Sequence, residues 1–250
     1  MNNIEKLYGK KNQRYVNRKE KISDIFFSTF KEYPSRFYSS PGRMEILGNH
    51  TDHNNGLVLV GTINLDIFTA VKKRNDNKII LKSEGFPIME IDLNDLEIKE
   101  AEYGKSESII RGVCYKYKEY GYKIGGFEAV CESNIFKGAG LSSSAAFELL
   151  IAEILNNLYN DDEIPRVEMA KIGQFAENVY FNKPSGLLDQ MGVSLGGINY
   201  IDFKDTSKPI VENCNLDVPG YKIVLINTGG SHSGLTKYYA SIKDDMKAIA

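Results

Sequence analysis

No apolar run in this 250-residue chain is long enough to cross a membrane, and the N-terminus, Met-Asn-Asn-Ile-Glu-Lys, lacks the apolar core of a signal peptide. Charge of neither sign prevails. The 31 basic and 33 acidic residues are well mixed, so no basic stripe of the kind that binds nucleic acid is present. The three cysteines (Cys114, Cys131, Cys214) are odd in number, scattered and without histidines at metal-ligand spacing. Reduced thiols in a cytoplasmic protein account for them. There is no internal repeat and no low-complexity linker. What these absences leave is a cytoplasmic globular protein with neither nucleic acid nor membrane as partner. Its length can bury one large core or two small ones.

Against this background residues 138–146 stand out: Gly-Ala-Gly-Leu-Ser-Ser-Ser-Ala-Ala. Gly138 and Gly140 let the backbone approach a ligand or adopt positive φ. Ser142, Ser143 and Ser144 fall where the first N–H groups of a helix have no partner, and the helix dipole adds roughly half a positive charge there. Downstream, Ala145, Ala146, Leu149, Leu150, Ile154, Leu155 and Leu158 repeat at helical spacing, so one face of that helix is buried. Two glycines, a run of hydroxyls and a helix N-terminus make a phosphate pocket. The plainer alternative is that the serines only cap the helix. It is not a Walker loop, since no Gly-Lys-Ser/Thr follows.

The rest of the chain reads as mixed α and β. Residues 19–32 and 108–120 have helical periodicity, as do 165–180, which end before the Asn182-Lys183-Pro184-Ser185-Gly186 loop. Leu57–Val60, Ile63–Val71, Ile79–Lys82, Met89–Leu93, Phe127–Cys131 and Tyr221–Ile226 are rich in β-branched and apolar residues and predict strands. Pro41–Gly42 predicts a turn. Lys237–Ala250 starts a last helix that has no stop signal, so the chain is expected to be cut inside a larger protein.

Two further stretches carry polar groups beside predicted core. Gly42 to Gly56 holds His50, Asp52 and His53 among turn-forming residues. A zinc site is one reading. A polyol-binding loop fits better, because an Asp accepts hydrogen bonds from two adjacent hydroxyls while His and Asn donate or accept. The bland reading is that Asp and Asn merely form turns. The other stretch is Gly186-Leu187-Leu188-Asp189-Gln190-Met191. Its Asp189 leads into an apolar segment, where an acid is costly without a partner or a task. Glu177 lies on the preceding predicted helix. Beside a phosphate cradle, the two acids suggest a base and a metal ligand.

Taken in order, Ser40-Pro41-Gly42-Arg43 with Gly48-Asn49-His50-Thr51-Asp52-His53-Asn54, then Gly138–Ala146, then Gly186-Leu187-Leu188-Asp189-Gln190 resemble the family of galactokinase, homoserine, mevalonate and phosphomevalonate kinases. The first stretch resembles the galactokinase sugar signature, and the resemblance covers essentially the whole chain. It implies an α+β fold: an N-terminal domain over residues 1–205 similar to ribosomal protein S5 domain 2, and over 206–250 the beginning of a ferredoxin-like domain, incomplete because a third, Gly-rich family motif does not occur before the chain stops. It implies ATP-dependent phosphorylation of the anomeric hydroxyl of galactose or a close relative, by a monomer whose partners are a small-molecule sugar and ATP. Asp189 and Arg43 would be catalytic. Asn49, His50, Asp52 and Tyr239 would bind the sugar. Gly138, Ala139, Gly140, Leu141, Ser142, Ser143 and Ser144 would cradle the phosphates of ATP, and Ser144 with Glu177 would hold Mg²⁺.

Three residues depart from the family pattern. It usually has Glu where Asn49 stands, Tyr where His53 stands, and Asn where Glu45 stands. An aromatic that commonly packs near adenine, ahead of Arg111-Gly112, is also missing. Two other functions compete. A sugar- and ATP-sensing relative without catalysis would have lost residues from the Ser-Ser-Ser-Ala-Ala run, which is complete here. A metal hydrolase built on His50, Asp52 and His53 would require zinc.

Overall fold

The computed structural model describes residues 13–136, 138–215, 219–227, 229, 241–242, 245–246 and 248. Among them seven strands form one sheet: β1 (Arg36–Leu47), β2 (Leu57–Lys73), β3 (Lys78–Ser83), β4 (Ile88–Asp92), β5 (Phe127–Ser133), β6 (Ile198–Asp202) and β7 (Ile210–Cys214). Five α-helices accompany it: α1 (Gln13–Phe30), α2 (Ser106–Glu119), α3 (Ser143–Tyr159), α4 (Arg166–Phe175) and α5 (Leu188–Leu195). The sheet runs β4-β3-β5-β2-β6-β7, with β1 against the other edge of β2. All pairings are antiparallel except β3 with β5.

β2 organises the fold. Its C-terminal half pairs with β5 and its N-terminal half with β6, while β1 runs along almost its whole length. The two strands expected at Leu57–Val60 and Ile63–Val71 are therefore one. Pairing of Met44 with Gly61 and of Arg43 with Thr62 bridges the gap between them. Alternation along β2 sorts its side chains between two layers. Ile67 and Val71 join a large core under α2, α3 and α4, with Leu81, Phe127, Leu150 and Ile151. Phe68 and Ala70 point the other way, against Tyr15, Ile22 and Phe26 of α1. Full burial of one such large apolar side chain contributes about 1.5–3 kcal/mol. A smaller cluster, formed by Val58, Val60, Ile201 and Phe203 with Leu187, Leu188 and Met191, fixes the start of α5 on the sheet.

Three expectations need correction. Pro41–Gly42 is no turn. β1 passes straight through it with a register shift between Pro41 and Arg43, where a residue without an N–H costs the ladder nothing. The helix expected over 165–180 is α4 followed by a wider π turn, Ala176–Tyr180. Residues 221–227 are exposed and have no regular structure. Their β-branched residues favour a strand, but among the described residues no strand pairs with them, and propensity without a partner leaves the backbone bonds unmade. Strands β1, β6 and β7 and helix α5 were not anticipated. The expected helix from Lys237 lies largely outside the described residues.

Candidate functional site

Four backbone segments converge at the ends of β1 and β2. The first is β1 itself, which delivers Arg43, 4 % exposed. The second is the link from β1 to β2. Asn49, His50 and Asn55 all have left-handed φ there, close to +55° (52°, 59° and 57°), bracketing a single 3₁₀ turn, Thr51–Asn54. Asn tolerates this region better than most residues. The tight path turns Asp52 inward, to 2 % exposure. The third segment is the glycine loop before α3, and the fourth runs from the π turn into α5.

Arg43 joins these parts. Its Nε and Nη2 donate to Asp189 Oδ1 at 2.9 and 2.5 Å, and its Nη1 donates to the carbonyl of Gly140. The Arg43 N–H also donates to the carbonyl of Leu141, 3.1 Å away. That carbonyl comes so near β1 that a Cβ on Gly42 would lie 2.8 Å from it. Ser142, with φ 55°, donates its hydroxyl to Asp189 Oδ2 and makes no side-chain cap on α3. The capping alternative for Ser142 is thereby set aside. Burial alone would raise the Asp189 carboxyl, but Arg43, Ser142 and His50 outweigh it and hold its pKa below the ordinary carboxylate range. Asp189 also sits in the first turn of α5, where the helix dipole favours its charge.

Asp52 receives the Leu188 N–H on Oδ2 at 2.9 Å. Its Oδ1 has no hydrogen-bond partner among the described residues, and His53 Nδ1 stands 3.9 Å from it. Burial raises the Asp52 carboxyl, the Leu188 N–H opposes this, and the charge of Asp189 adds to the rise. His50 is close enough to both carboxylates to lower both pKa values. Its own backbone N–H is held by Glu45 Oε1 at 2.7 Å, and its Nε2 lies 3.6 Å from Glu45 Oε2. Glu45, noticed in the sequence only as a departure from the family, thus braces the loop that carries His50.

On the far side of the glycine loop, Ser144 Oγ donates to Glu177 Oε1 at 2.9 Å, and Lys183 Nζ donates to the same oxygen at 2.7 Å. Gln190 Nε2 donates to Glu177 Oε2 at 2.8 Å and to Glu148 Oε2 at 2.9 Å. Glu148 is fully buried, and burial followed by repulsion from Glu177 raises its pKa well above the ordinary value. Burial and the charge of Glu177 thus both favour its protonated form. Its Oε1 and Gln190 Oε1 have no partner among the described residues. Both open atoms are acceptors when Glu148 is ionised, and a proton on Glu148 would turn one of them into a donor. Sequence reading assigned no role to Lys183, Gln190 or Glu148. For Gln190 and Glu148 the only signal was polarity inside otherwise apolar helix faces, and Lys183 lies in a loop.

No group of three or more His, Cys, Asp or Glu side chains able to hold a metal ion occurs among the described residues. A dedicated metal cage is not what Mg²⁺ requires, however, since it keeps waters and shares its site with phosphate. Ser144 Oγ and Glu177 Oε1 lie side by side through their hydrogen bond, a hydroxyl and a carboxylate oxygen of the kind that could form one edge of such a site. Tyr239 lies outside the described residues. Among these residues no helix is long and apolar enough to cross a membrane.

Known proteins resemble this chain in sequence and fold. Residues 24–73 match the galactokinase galactose-binding signature, and residues 108–197 match the GHMP kinases N-terminal domain. The galactokinase of Lactococcus lactis subsp. cremoris is 35 % identical over 238 residues, which cover 92 % of this chain and 58 % of that protein. The galactokinase of Clostridium tetani is 35 % identical over 204 residues, covering 81 % of this chain and 52 % of that protein. The chain thus spans between half and three-fifths of the length of these relatives. The structure of Lactococcus lactis galactokinase complexed with galactose superimposes with a TM-score of 0.71 at 27 % identity, covering 91 % of this chain and 61 % of that one. Methanococcus jannaschii mevalonate kinase, at 17 % identity and a TM-score of 0.59 over 72 % of this chain and 56 % of its own, shares the fold. With the signature on β1 and β2 and the kinase domain around α3, α4 and α5, the chain belongs to the GHMP kinase family, on its galactokinase branch.

Proposed function

We propose that this protein transfers the γ-phosphoryl group of ATP to the anomeric hydroxyl of galactose, giving the sugar 1-phosphate and ADP, as a cytoplasmic monomer. The observation that carries the reading is the position of Arg43. One guanidinium grips both Asp189, beside the sugar-type loop, and the carbonyl of Gly140, in the phosphate-type loop. The two substrates would meet across it.

In this reading Asp189 accepts the proton of the anomeric hydroxyl. The sugar O–P bond forms as the bond from phosphorus to the ADP oxygen breaks, and ADP leaves with that electron pair. Arg43 keeps Asp189 ionised, which makes it a weak base. A weak base suffices, because phosphoryl transfer asks mainly for positioning and charge neutralisation and the hydroxyl proton is lost late. Asp52 Oδ1, the acceptor left open, takes a ring hydroxyl, assisted by His50, Asn49 and Tyr239. Backbone N–H groups from Gly138, Ala139, Gly140, Leu141, Ser142, Ser143 and Ser144 cradle the phosphates at the N-terminus of α3. Ser144 and Glu177 would hold Mg²⁺, which when bound offsets phosphate charge. We place a domain boundary near residue 205. β7 lies beyond it and still pairs with β6.

The test is ATP consumption by the purified protein against a panel of free sugars, with the phosphorylated position read by phosphorus NMR. Galactose 1-phosphate is expected. Binding of both sugar and ATP without turnover would instead favour the sensing alternative.

A further inference from the structure

Glu177 is 1 % exposed, and three groups crowd its two oxygens. Oε2 is taken by the amide of Gln190, while Oε1 receives both the Ser144 hydroxyl and the ammonium of Lys183. A buried carboxylate is costly without a counter-ion, and Lys183 supplies it. The Lys183 side chain is 38 % exposed and reaches in from the loop after the π turn. Its positive charge therefore stands beside Ser144, at the end of α3 where anions are favoured. Oε1 is also the oxygen that fits a metal edge with Ser144. The ammonium at 2.7 Å and a metal ion could not both hold that oxygen. The four-carbon lysine stem can swing, and Ser144, the last residue of the cradle, already shares Oε1 with its ammonium.

We propose that Lys183 is a nucleotide-phosphate ligand built into the metal position, so that this protein binds nucleotide phosphates in the absence of a divalent cation. The inference rests on the reading of Gly138–Ser144 as a phosphate cradle. Bound with metal, the phosphates meet Lys183 displaced from Glu177. Bound without metal, they meet an ammonium already beside Ser144.

The experiment is calorimetric titration of ADP into the purified protein, once in EDTA and once in excess Mg²⁺, for wild type, Lys183→Met and Lys183→Arg. Wild type binds ADP in EDTA. Lys183→Met weakens that binding at least tenfold and raises the ratio of affinities with and without Mg²⁺ by at least tenfold. Lys183→Arg, which keeps the charge, stays nearer to wild type and reports on folding. Two results overturn the proposal: wild type that binds ADP only with Mg²⁺, or Lys183→Met that binds ADP in EDTA as wild type does. Wild type that binds no ADP in either buffer overturns the phosphate reading of the loop, and this inference with it.

Discussion

The carboxylate of Asp52 occupies the space beside Gly186 that any other residue would fill: a Cβ there would lie 1.8 Å from Oδ2. The contact joins the sugar-type loop to the segment that starts α5. Gly186→Ala should therefore expel Asp52 and break its bond from the Leu188 N–H. The expected cost is about 1–3 kcal/mol, as for overpacking in a core, together with loss of galactose affinity. Urea denaturation and galactose titration check this. A variant unchanged in both would show that Asp52 has room to move.

Asp189→Asn keeps the size and one acceptor oxygen for Arg43 but cannot take a proton from the sugar. Turnover should fall by on the order of 10²–10⁴, with ADP affinity nearly unchanged. Near wild-type turnover would remove Asp189 from the role of base.

Ser144→Ala and Glu177→Gln each remove one side of the candidate metal edge. Both should weaken Mg·ADP binding far more than galactose binding. Calorimetry with each ligand separates the two effects. Normal Mg·ADP affinity in both variants would reduce Glu177 to a structural partner of Lys183 and Gln190.

Glu148 makes a prediction about pH. Burial and the charge of Glu177 raise its folded-state pKa well above the ordinary glutamate value. Folding therefore favours its protonated form, and the stability it permits is full below that value and declines as pH rises toward the folded pKa. Asp189, with its depressed pKa, acts in the opposite sense but at acid pH, outside this window. Glu148→Gln, a neutral amide that can donate to the Gln190 carbonyl, should gain stability relative to wild type as pH goes from about 5 to 8. Urea midpoints across that range test it, and a difference that stays flat with pH would mean that Glu148 is ionised in the fold.

Asn49 stands exposed with φ 52°, where the family usually has Glu. A hydrogen bond to a charged acceptor is worth about 1.5–3 kcal/mol against about 1 for a neutral one. Discrimination at the terminal hydroxyl of the sugar should be weak in wild type and stronger in Asn49→Glu. Because Glu pays about 1–2 kcal/mol for the left-handed backbone, the quantity to measure is the ratio of kcat/KM for galactose and its 6-deoxy analogue, within each protein. Equal ratios would remove Asn49 from specificity.

The sequence made the ingredients of this site visible but not their wiring. Glycines, serines and carboxylates advertise their chemistry through residue type and local spacing, so the glycine loop, Asp52 and Asp189 stood out. Arg43 and Asp189 are 146 positions apart, and no local pattern says that a bulge in β1 aims one at the other. The same limit explains the merged β2 and the absent strand at Tyr221–Ile226. Strand pairing is decided by partners distant in sequence, whereas the periodicity of α3 is decided within the helix. Lys183 was legible only as a charge in a loop, where charge is ordinary, and Glu45, in β1, only as a departure from the family pattern.

Between Ala176 and Tyr180 the helix is wound wide, and the Phe181 N–H reaches back five residues to the carbonyl of Ala176. Such a turn holds one more residue than an α-helical turn would. Removing one residue there would let the turn close to an ordinary α-helical one, with the segments on either side still facing as they do now. The wide turn is thus one residue of slack along the gene: a codon there can be lost without re-aiming the chain, provided that it is not the codon of Glu177, which is buried and bonded on both oxygens.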